Sequence, residues 1–144
     1  MNIIHRGITT IVVPGNKPCR QTMEFFKSND IPVVARNVQH DPLTLAELIY
    51  LSGRAGGFMN LIAKKSKAYP ALEKMLENDE ETRMSQVYAY MLENPRVLKY
   101  PMILDEKRIY IGHHEDEIRA FLPRNMKRYY FSKTLDFERT VMPA

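Results

Sequence analysis

A single cysteine, Cys19, among 144 residues excludes an intramolecular disulfide and a cysteine-based metal cluster, and it fits a reducing compartment. No apolar run approaches the roughly 18 residues needed to cross a membrane. The amino terminus, Met1-Asn2-Ile3-Ile4-His5-Arg6-Gly7, lacks the basic region and apolar stretch of a secretory signal. A soluble cytoplasmic protein with no membrane partner is therefore the expectation. Neither sign of charge dominates: the net charge of +4 favours contact with acidic surfaces but falls short of the basic arm of a dedicated nucleic-acid binder. Internal repeats, low-complexity segments and cofactor motifs are absent, and 144 residues suit one domain spanning 1–144.

What is present is an ordered series of strand and helix signals. Ile8 to Val13 is a β-branched run stopped by Pro14-Gly15, the mark of a buried strand ending in a turn. Pro18 suits the first turn of a helix running to about Asn29, with Met23, Phe26 and Lys27 at helical spacing. Pro32 to Val38 supplies a second strand, and two strands joined by one helix make a right-handed βαβ unit with a parallel pair. Thr44-Leu45-Ala46-Glu47 is a capping box, with Leu43 and Leu48 as its staple and Leu45, Leu48 and Ile49 as the expected buried face.

Gly53-Arg54-Ala55-Gly56-Gly57 breaks that helix. A short helix from Phe58, the basic run Lys64-Lys65-Ser66-Lys67, a short helix through Tyr69, Leu72 and Met75, and an acidic loop at 77–81 follow. The next helix, about Thr82 to Glu93, carries Met84, Val87, Tyr88, Met91 and Leu92 on one face and stops at Asn94-Pro95. Pro101–Leu104 and Arg108–Ile111 form a hairpin turned at Asp105-Glu106-Lys107, and Glu115-Asp116-Glu117 opens a last helix that buries Ile118, Phe121 and Leu122. This order, β-α-β, a helical insertion at about 44–95, then β-β-α, describes an α/β chain with a thioredoxin-like four-stranded mixed sheet. A cis proline commonly precedes the third strand of that fold, and Pro101 stands there.

Cys19 is the first candidate for chemistry, because a helix N-terminus stabilises thiolate. Dithiol exchange needs a second sulfur three positions away, and Asn16 occupies that place. The plainer reading is a small, partly buried residue in the first helical turn. His113-His114 beside Glu115 and Asp116 invites a metal, but neighbours on an extended segment point apart and no third ligand lies at useful spacing. Lys64, Lys65 and Lys67, with Arg54 nearby, could meet a carboxylate or a phosphate, or simply be solvated. From about 125 to 144 a tail mixes Lys127, Arg128, Lys133 and Arg139 with Tyr129, Tyr130, Phe131 and Phe137, a pattern read as packing more than base stacking.

The most specific stretch is Pro101-Met102-Ile103-Leu104-Asp105-Glu106-Lys107-Arg108, with Gly112, Glu115-Asp116-Glu117-Ile118-Arg119 and Phe121-Leu122-Pro123-Arg124. Ile31-Pro32, Arg36-Asn37, Pro42-Leu43-Thr44 and Ser66-Lys67 support it. Over roughly 8–124 these stretches resemble the arsenate reductase-like family and, within it, the Spx regulators of bacterial RNA polymerase.

The resemblance implies a thioredoxin-like fold and places Asn16 at the first cysteine of the Spx pair, where the reductases carry their nucleophile. Lys65 and Tyr100 fall at positions that hold oxyanion-binding arginines, and neither replaces the bidentate fork. Arsenate reduction is therefore not expected, and neither is any other enzymatic activity. Spx proteins bind the C-terminal domain of the polymerase α subunit. Gly57 matches the glycine important for that contact, Ser66 and Lys67 match the adjoining surface, Arg54 and Lys65 are further partner-binding candidates, and Lys67 is a candidate for nearby promoter DNA. Tyr100 stands where the family's redox-responsive arginine would be. The expectation is an Spx-like regulator, monomeric when free and without a disulfide switch. A monothiol oxidoreductase using Cys19 is the alternative.

Overall fold

The computed structural model describes residues 7–122, so the tail from about 125 lies outside the described residues. Strand β1 (Ile8–Val12) leads through Pro14-Gly15 into α1 (Lys17–Ser28), and β2 (Val33–Asn37) returns alongside it. The β1–β2 pair is parallel, in register from Ile8 opposite Val33 to Val12 opposite Asn37. After the helical block, β3 (Met102–Leu104) runs antiparallel to β1, and β4 (Ile109–Ile111) antiparallel to β3, giving the order β2-β1-β3-β4. This is the thioredoxin-like α/β sheet expected, and the Tyr100–Pro101 peptide is cis.

Successive residues of β3 point to opposite faces. Met102 and Leu104 accordingly join one buried cluster with Ile11, Leu48, Leu51 and Met91, while Ile103 joins the other with Phe26, Ile118 and Phe121. The smaller cluster is aromatic: Phe121 makes edge-to-face contacts with Phe26 and Tyr110 at centroid separations of 6.0 and 5.5 Å.

The insertion comprises α2 (Leu45–Arg54), a 3-10 turn at Phe58–Leu61, α3 (Tyr69–Glu77) and α4 (Met84–Glu93). Its first helix corrects the expected face. Leu45 and Ile49 are about half exposed, whereas Glu47, Leu48, Leu51 and Ser52 are buried. The reason is electrostatic: Arg36 on β2 grips both carboxylate oxygens of Glu47, which also accepts the Thr44 N–H at 2.8 Å while Thr44 Oγ1 accepts the Glu47 N–H at 3.2 Å. A fully buried, fully bonded carboxylate thereby takes the inward position, and the helix rotates Leu45 and Ile49 outward. In α1 the inward residues are Cys19, Thr22 and Phe26, with Lys27 exposed, rather than the stripe of Met23, Phe26 and Lys27. Met84, at the first turn of α4, is likewise exposed, and that helix buries Val87 and Met91. The final helix is one turn, α5 (Glu115–Ile118), tightening into 3-10 at Arg119–Phe121.

Candidate functional site

At the carboxyl end of β1 the chain turns into α1, and Asn16 caps the helix: its Oδ1 accepts the Cys19 N–H at 2.9 Å. Asparagine is among the best residues for that task, so the amide at this position serves the backbone rather than any reaction. Cys19 is 4% exposed. Burial pushes its thiol up, against smaller opposing effects from a Val13 backbone hydrogen bond and the Arg20 charge. Placement at a helix start, which alone would favour thiolate, is thus overcome by desolvation.

Tyr100 closes the same region. Its hydroxyl donates to the Pro95 carbonyl at 2.7 Å, and burial raises its pKa, partly opposed by Arg96 and reinforced by Cys19. It stays a neutral phenol with its proton already committed. An open cleft of about 390 Å³ lies beside it, bordered by Val13, Asn16, Pro18, His113 and His114 among others. The two histidines were expected to diverge, yet both border this one cleft. His113 Nδ1 shares a 2.6 Å hydrogen bond with the hydroxyl of buried Thr22, which turns that ring inward, and His114 Nε2 lies 3.9 Å from Glu117. No group of three metal-ligating side chains occurs among the described residues.

The second candidate region begins where α2 ends. Gly57 has φ +136°, a conformation that L side chains rarely adopt, and nothing lies within 4 Å of where a Cβ would stand. It is exposed, and its N–H donates to the Ser52 carbonyl at 2.8 Å. Lys64, Lys65 and Lys67 are exposed as well. Two residues expected in this patch behave differently. Arg54 is held internally, donating to the Tyr50 hydroxyl at 2.6 Å and to the Asp105 and Arg108 carbonyls at 2.8 Å each, so it fastens α2 to the hairpin turn instead of facing a partner. The Ser66 hydroxyl is shielded from solvent and has no hydrogen-bond partner among the described residues.

Sequence reasoning passed over Arg96 and Lys99, which border the cleft with Tyr100. Lys99 also borders a second cleft of about 480 Å³ with Lys64 and Lys65. Their signal was faint: two isolated cations close before Pro101.

The model of the ArsC family matches residues 13–121. The global transcriptional regulator Spx of Staphylococcus haemolyticus is 33% identical over 123 residues, covering 85% of this chain and 92% of that protein, and Spx of Bacillus subtilis is 32% identical over the same spans. The chain belongs to the ArsC family, in its Spx group. Solved structures show the same fold at low identity: the YFFB protein (TM-score 0.68, 11% identity, 81% of this chain and 99% of that one) and arsenate reductase from Vibrio cholerae (TM-score 0.62, 14% identity, 81% and 97%). Within an ArsC fold, Asn16, buried Cys19 and the committed phenol of Tyr100 make a region unlike a thiol active site. Gly57, by contrast, uses only its backbone internally and is exposed together with Lys64, Lys65 and Lys67.

Proposed function

We propose that this chain regulates transcription by binding the C-terminal domain of the RNA polymerase α subunit through the surface around Gly57, without a disulfide switch and without catalysis. The observation that carries this reading is Gly57 itself: exposed, at φ +136°, with open space above it and Lys65 and Lys67 nearby in the chain. A bare backbone of this kind admits close approach by another protein, and a side chain would fill the approach. The Spx relatives support the regulatory role. Cys19, buried with its thiol pushed up, supports the absence of thiol chemistry. The protein works as one cytoplasmic domain, monomeric when free, and Lys67 lies close to promoter DNA in the complex.

Titration of purified α C-terminal domain, with and without reductant, tests the reading. Gly57→Arg abolishes binding, whereas Cys19→Ser and the removal of reductant leave it intact. Unchanged affinity in folded Gly57→Arg sinks the interface. A redox-dependent loss that Cys19→Ser removes revives the monothiol alternative.

A further inference from the structure

The cleft beside Tyr100 and the lysine cleft beyond it share Ala63 and Lys99 as walls, so they adjoin. Together they hold six basic side chains: Arg96, Lys99, His113 and His114 on the first, Lys64 and Lys65 with the shared Lys99 on the second. No Asp or Glu among the described residues lines either cleft. Among the described residues, the only carboxylate oxygen within 4 Å of these basic nitrogens is that of Glu117, 3.9 Å from His114. Lys99 and His114 converge over Gly112: a Cβ there would meet His114 Nε2 at 3.4 Å and Lys99 Cε at 3.8 Å. The first cleft is mainly apolar beneath its basic groups, with Val13 and Leu98 in its lining, whereas in the second Met59 and Ile62 share the lining about equally with polar groups.

We infer that the two clefts form one groove that takes an extended acidic segment of a partner protein, with carboxylates on the basic rim and apolar side chains on the lining of the first cleft. Charge complementarity selects an anion. The apolar lining of the first cleft and the concave form of both select a peptide: a nucleic-acid duplex is too broad to enter clefts of about 390 and 480 Å³ and would meet only the rim. Two adjoining clefts suit an elongated occupant better than a compact small molecule. The groove shares Lys65 with the proposed α-subunit surface but not Gly57, which borders neither cleft, so Gly57→Arg, which removes α-subunit binding, leaves copolymer binding intact.

Fluorescence anisotropy of a fluorescein-labelled glutamate–tyrosine copolymer, titrated with the full chain at about 0.15 M salt, tests it. Polyglutamate and a short DNA duplex are the comparison probes. The copolymer binds more tightly than polyglutamate, and Lys99→Glu and Lys65→Glu, both exposed and so free of folding consequences, each weaken it about tenfold, roughly 1.4 kcal/mol. Equal binding of copolymer and polyglutamate overturns the apolar lining as a contact. Tighter binding of duplex DNA, lost in the same variants, overturns the peptide in favour of nucleic acid. Absence of copolymer binding by the folded chain overturns the groove.

Discussion

Cys19 and Glu47 are both buried ionisable groups, and their surroundings push them in opposite directions. The thiol meets burial with little compensation and is raised, so it remains protonated at neutral pH. Its alkylation by iodoacetamide at pH 8 is expected to be at least about tenfold slower than that of an exposed cysteine, rising to the exposed rate in denaturant. Equal rates in native and denatured protein would show an accessible thiol. For Glu47, burial alone would raise the pKa, but hydrogen bonds from Arg36 and Thr44 outweigh it and hold the carboxyl below the usual range. A pKa lower in the folded than in the unfolded chain means that this stabilisation is complete above about pH 4.3 and is lost as pH falls through the folded value. Asp105, lowered by Arg108 and the turn N–H groups against its own burial, acts in the same sense. Melting temperature is therefore expected to fall steeply below about pH 4, with a shallower slope in Glu47→Gln. That variant also takes the buried carboxylate away from Arg36, which keeps only the exposed Asp41 at 3.3 Å, costing about 3 kcal/mol in denaturant unfolding at pH 7. A loss under about 0.5 kcal/mol, the range of ordinary surface changes, would show the pair to be dispensable.

Helix α2 shows how far sequence patterns carry and where they stop. Its start was legible because capping is local: Thr44 and Glu47 satisfy each other within one turn. Its buried face was not, because apolarity nominated Leu45 and Ile49 while the decisive partner, Arg36, lies on another strand. Helix α1 was misread for the same reason, since Thr22 is drawn inward by His113, 91 positions away. The strands and the hairpin were legible because β-branched runs and turn residues are contiguous. Arg54 looked like part of a basic patch for want of any local sign that the hairpin turn would reach it. Its contacts give an expectation for the element: Arg54→Ala removes donors to two hairpin carbonyls and lowers stability by about 2 kcal/mol. Hydrogen exchange at the hairpin amides accelerates more than exchange within α4. Arg54→Lys, lacking the planar fork, restores only part of the loss. A uniform change in exchange across the chain would mean that Arg54 does not clamp this turn.

For the molecule as a whole, the proposed partner surface centres on a glycine whose two properties, backbone conformation and missing side chain, must be separated. The substitution most informative about binding is also one that strains the chain. At φ +136°, alanine pays the backbone strain, about 1–3 kcal/mol, while adding only a methyl group into open space. Arginine pays the same strain and adds bulk and charge. Both variants are thus expected to melt at similarly lowered temperatures, and measuring affinity for the α C-terminal domain well below that transition leaves only the surface effect. Close backbone approach requires Gly57→Ala to retain binding within a few fold and Gly57→Arg to lose it. If alanine loses binding as completely as arginine, the glycine matters for the shape of the turn between α2 and Phe58, and the contact lies elsewhere on the turn. If both bind as the unaltered chain does, the surface around Gly57 is not the interface, and the outward pair Leu45 and Ile49 on the preceding helix, α2, becomes the next face to probe.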